Sequence, residues 1–196
     1  MSESTKRIMR VGFLAAALTQ LAIILVALAQ TPAPPLYMAV RAAALLGYVG
    51  LFWLIVSSEY VRQMRALFGR VFLKVHHALS VVTWVLIAAH PLAFALFVND
   101  TRVLVPIFSP AQQFLQWAGR TALYIFALAT VGALARKSLK SSWRYLHKLN
   151  YLAFLLVFVH AWLIGTDLSS PLVKAVWLVM AVVVLAVALH KGIGRK

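Results

Sequence analysis

Apolar residues along this chain run in blocks of about twenty, and polar positions collect in short stretches between them. An α-helix needs ~20 apolar residues to cross the hydrocarbon core of a bilayer, so each block reads as a membrane span. The pattern predicts six helices, over residues 8–29, 36–56, 71–98, 117–135, 142–165 and 173–189. Pro32, Pro34 and Pro35 punctuate the first connection, Pro106 and Pro110 the third, and Ser169-Ser170-Pro171 makes a start signal for the last helix. No linker or soluble stretch interrupts the series. The expectation is a single all-α domain over residues 1–196, a six-helix transmembrane bundle. The first block is longer than a signal-peptide core, and Gln30-Thr31-Pro32 is a poor cleavage site, so that block is read as the first span.

Composition supports this picture: 63% of residues are hydrophobic and 12% charged, which excludes a disordered chain and an ordinary soluble domain. There is no cysteine, so disulfides, thiolate-bound zinc, iron–sulfur clusters and thioether-attached haem are excluded. The formal charge is +15, from 19 Lys and Arg against 4 Asp and Glu. With six alternating spans, 15 of those cations share the side of the N-terminus, leaving Arg41, Arg102, Arg120 and Lys174 on the other. The positive-inside rule then puts both termini in the cytoplasm, with a bacterial inner (plasma) membrane as the expected location. The basic excess is a topology signal and an attraction to anionic lipid, and nucleic acid is not an expected partner. Glu3, Glu59, Asp100 and Asp167 all fall in connections or at helix ends, which argues against an ion-coupled transporter.

Five of the six histidines lie on two predicted helices: His76, His77 and His90 on the third, His147 and His160 on the fifth. Separations of 13 to 14 residues correspond to ~20 Å of helix, so each helix carries histidines at two depths. Alternate spans run in the same direction, and side by side these two would offer one histidine pair at each depth. At ~100° per residue a spacing of 14 returns to within ~40° of one face, favouring His76 over His77 as the companion of His90. A spacing of 13 misses by ~140°, so the fifth helix requires a kink, a π-bulge or ligands approaching from different sides. Two neutral imidazoles facing across an apolar bundle suit the two axial positions of a haem iron. Zinc needs three or four ligands converging on one point, which histidines at two depths do not supply.

The stretches His76-His77-Ala78-Leu79-Ser80 followed by His90, and Trp143-Arg144-Tyr145-Leu146-His147-Lys148-Leu149-Asn150-Tyr151 followed by His160, resemble the ferric-reductase-like transmembrane domain. That family contains NADPH oxidases, ferric reductases and the haem-binding membrane subunit of the periplasmic methionine-sulfoxide reductase system. The resemblance implies a six-helix bundle passing electrons across the membrane through two stacked b-type haems. It further implies that His76 and His147 hold the inner haem, and His90 and His160 the outer. No Gly-rich dinucleotide fingerprint occurs in these residues, so the expected donor is a separate flavoprotein reductase, a flavin or a membrane quinol. The expected acceptor is external: ferric chelate, oxygen or a periplasmic redox protein such as a sulfoxide reductase.

Haem would bring propionates, and Arg41, a guanidinium within the second span, is a candidate propionate partner, with Arg120 and Lys174 nearer the interface. Trp53, Trp117, Trp143, Trp162 and Trp177 read as interfacial anchors, and Trp84 and Phe154 as packing between the two histidine depths. The rival to a redox role is a membrane scaffold in which the histidines only join helices by hydrogen bonds.

Overall fold

The computed structural model describes residues 2–193. Arg195 and Lys196 of the expected cytoplasmic tail lie outside the described residues, as does the side chain of Lys191.

Every element among the described residues is helical. Helix α1 (Glu3–Gln30) begins where the Ser2 hydroxyl accepts the N–H of Thr5, at 3.2 Å. Helix α2 (Pro35–Glu59) opens on a proline, whose missing N–H costs nothing in a first turn. Short α3 (Val61–Phe68) leads into α4 (Val71–Val98), which ends at Asn99 with a left-handed φ of 53°. A 3-10 turn (Thr101–Leu104) and α5 (Ala111–Gln116) precede α6 (Ala118–Leu134). Then follow α7 (Arg136–Leu139), α8 (Trp143–His147), α9 (Leu149–Ile164), a second 3-10 turn (Thr166–Ser169) and α10 (Pro171–Ile193).

Five segments are long and apolar enough to cross a membrane: Glu3–Gln30, Pro35–Glu59, Val71–Val98, Trp143–Ile164 and Pro171–His190. The predicted span at 117–135 is the apolar but shorter α6, of 17 residues. Large side chains such as Leu14, Leu18, Val82, Leu96 and Val182 stand exposed around the bundle. A surface of this kind is compatible with lipid.

The core gathers around α2. Tyr48 stacks on Phe154 of α9 and on Trp177 of α10, with 4.5 Å between centroids in each pair. Trp177, expected at an interface, is only 2% exposed: it lies ~9 Å along α10, on the face turned to Tyr48. Trp84 bonds the Thr130 hydroxyl at 2.8 Å and ties α4 to α6. Phe13 meets Trp53, which donates to Gln20 at 2.8 Å, and these contacts hold α1 against α2. A second small core of Met64, Leu67 and Phe72 seats α3, an element the span pattern passes over.

Glycines let the helices approach. A Cβ on Gly50 would lie 2.3 Å from the buried Thr83 Oγ1, and one on Gly47 would lie 3.2 Å from Ile87, so α2 and α4 touch closely and run antiparallel. Gly119 faces the His160 ring and Gly132 faces Leu146, so α6 runs antiparallel to α8 and α9. Gly50→Ala should therefore lower the melting temperature in detergent, at a cost of about 1–3 kcal/mol from overpacking. Adding Thr83→Ala should recover most of that loss. An unchanged melting temperature in Gly50→Ala would show that α2 and α4 are not in close contact.

Candidate functional site

His90 lies on α4 just before Pro91, whose ring removes one backbone N–H and so loosens the helix beside it. Its Nδ1 is 3.0 Å from the carbonyl oxygen of Val40 on α2. On α9, His160 places Nδ1 2.6 Å from the carbonyl oxygen of Gln116, at the end of α5. A carbonyl can only accept, so Nδ1 donates in both rings, and each neutral imidazole keeps its lone pair on Nε2. This is the tautomer of a metal-ligating histidine with its outer partner already in place.

The two rings line one cavity of about 420 Å³, in the ordinary range for a cofactor site. Its walls are apolar and built with small residues from several helices, among them Ala43, Ala44, Ala122 and Ala153, with Ile87 and Phe126. Gly119 makes room for the His160 ring: a Cβ there would come within 2.9 Å of it. The cavity reaches Tyr48 and Trp177 in the core, and Tyr37, Arg41 and Asp167 at the opposite end.

The other pair lies a helix-length away. His76 and His147 are neighbours at this level, as His90 and His160 are at theirs. His76 is half-buried with an unpartnered, buried Nδ1, whereas His77 is exposed. The Nδ1 of His147 lies 3.4 Å from the side-chain nitrogen of Asn150. The expected continuous fifth helix is broken here: α8 ends at His147 and α9 begins at Leu149. Across the break Tyr151 donates to the Lys148 carbonyl at 3.0 Å, an i to i+3 bond. A 3-10 step turns ~120° against ~100° in an α-helix, so this bond shifts the azimuth of His147 by ~20° per residue, a fraction of the ~140° mismatch.

Arg41 is met from within the protein. Its Nε lies 3.1 and 3.2 Å from the two Asp167 oxygens, and its terminal nitrogens bond Asp167 and both oxygens of Thr31. The 3-10 turn after α9 carries Asp167 to this position, where Arg41 is 7% exposed and Asp167 12%. The guanidinium expected to seek a propionate thus already has a carboxylate. Asp100 is bonded to Arg102, which holds its carboxyl below the usual range. Lys174 lies over Trp162, 4.8 Å from the ring centroid, outside the cavity wall. Among the described residues no group of three or more His, Asp or Glu converges on a point that would hold a bare metal ion.

No protein-family model, no curated protein and no solved structure matches the chain.

Removing one partner of a buried ion pair strands the other charge, so Asp167→Asn should destabilise the protein by about 3–5 kcal/mol. Replacing both partners, as Arg41→Met with Asp167→Leu, should be far milder. Thermal unfolding in detergent measures both; equal losses would mean that the pair is solvated.

Proposed function

We propose that this chain is an integral membrane electron carrier that holds two b-type haems, one between His90 and His160 and one between His76 and His147. The observation that carries the reading is the pair of imidazoles at one cavity, both anchored through Nδ1 to a carbonyl of a different helix and both keeping Nε2 for a ligand. A haem held by the two imidazoles would supply a one-electron iron couple. The residues present fit it: the cavity is apolar, Gly119 leaves space at the His160 ring, and no third protein ligand competes. The protein's part is to fix both rings, exclude water and hold the two sites ~20 Å of helix apart.

Six crossings with cytoplasmic termini fit this function. Helix α6 has Gly119 at the level of His160 and Gly132 beside Leu146, next to His147, so its 17 residues extend from one histidine level to the other. That length is at the lower limit for a span. Counting α6 as a crossing keeps the basic segments together on one side, as the positive-inside rule asks. The His76–His147 level adjoins that side, where Arg144 lies over Trp143 and Lys148 over Tyr145. Electrons enter there, from a flavoprotein, a reduced flavin or a quinol, and leave from the His90–His160 level to an acceptor outside.

Protein expressed with ample haem should show a Soret band and about two haems per chain. His90→Ala or His160→Ala should remove about half, and His77→Ala none. No Soret band, or haem content indifferent to His90 and His160, overturns the reading. In sealed proteoliposomes with a reductant at the basic face, wild type should reduce an impermeant acceptor beyond the bilayer. His90→Ala should abolish that transfer while the remaining haem still reduces; equal transfer by both would take the second pair off the route.

A further inference from the structure

Arg120 is the cation that the cavity wall leaves without a carboxylate. It lies in the first turn of α6, the end at which the helix dipole is positive and a cation is disfavoured. Its Nη1 donates to the carbonyls of Arg102 at 3.2 Å and Val105 at 3.0 Å, and the guanidinium lies over Trp117, 4.6 Å from the ring centroid. Its Nε is buried without any hydrogen-bond partner. The ion pairs among the described residues go elsewhere, to Lys6 with Glu3, Arg41 with Asp167 and Arg102 with Asp100. Asp100, whose field reaches Arg120, is thus already engaged. Arg120 lines the cavity with His160, and its charge is felt at that ring. Arg120 as a whole is partly exposed, and its idle Nε is the donor that an anionic group filling this space would satisfy.

We infer that Arg120 anchors a carboxylate of the ligand held between His90 and His160. This rests on the haem reading, and it chooses between the two arginines of that cavity: Arg41 is spent on Asp167, and Arg120 is free to pair. The ligand's acidic edge is then turned toward the connection of residues 99–117, where the Arg102 and Val105 carbonyls hold the guanidinium in place. A charge-assisted hydrogen bond at a low-dielectric wall orients a flat ligand that apolar contacts alone would leave free to rotate.

The test uses the full chain, produced under haem limitation and titrated in detergent with ferric protoporphyrin IX or with its dimethyl ester, following the Soret band. Wild type should bind the diacid about tenfold more tightly than the ester. Arg120→Gln should bind the two alike, and Arg120→Lys should keep part of the preference. A preference unchanged in Arg120→Gln overturns the anchor, as does a wild type that binds acid and ester equally, which needs no variant to fold. Failure of wild type to bind either porphyrin overturns the haem reading itself, and the anchor with it.

Discussion

In an apolar interior a ring N–H must find its acceptor inside the protein, and His90 and His160 both find theirs in backbone carbonyls of neighbouring helices. The bond does two things at once. It removes a desolvation cost that would otherwise oppose placing a histidine there, and it fixes the tautomer so that Nε2 carries the lone pair. A histidine joining helices through both nitrogens would serve a scaffold. These two spend one nitrogen on the fold and keep the other at the cavity wall.

The rest of the bundle follows from bringing carbonyl and ring together. His90 can reach the Val40 carbonyl only because α2 and α4 nearly touch, and they touch because Gly50 and Gly47 face Thr83 and Ile87. Helix α6 does the same for the other histidine: Gly119 admits the His160 ring, and Gly132 admits Leu146 just before His147. The aromatic stack of Phe154, Tyr48 and Trp177 then fills the centre and sets the depth to which the cavity extends.

Much of this was legible in the apolar blocks, because span length and charge distribution are properties of single segments. Helix positions at 36–56 and 71–98 agree with α2 and α4 to within a few residues. The level of each histidine was legible for the same reason, since rise per residue needs no knowledge of neighbours. The break at Lys148 was not, because no periodicity announces an i to i+3 bond within an apolar block. Ion pairing was least legible. Nothing links Arg41 to Asp167 along the chain, and only the fold of the 3-10 turn after α9 makes them partners. Helix α3 was missed although Val61, Met64 and Leu67 recur at three-residue spacing, because the two arginines between them, Arg62 and Arg65, read as a loop when spans are sought.

Charge pairing separates the two faces in kind as well as number. Where cations are few, carboxylates are matched to them: Asp167 holds Arg41 and Asp100 holds Arg102. Lys174 is drawn over Trp162 and Arg120 over Trp117, so little unscreened field remains there. On the side of the N-terminus Glu3 is bonded to Lys6, and no other cation of that side is in an ion pair among the described residues. Long-range attraction scales with unpaired charge, so an anionic donor or lipid is drawn to the side of His76 and His147. At the other face short-range contacts must do the selecting. The same pairing leaves Arg120 as the cavity wall's own cation without a carboxylate among the described residues.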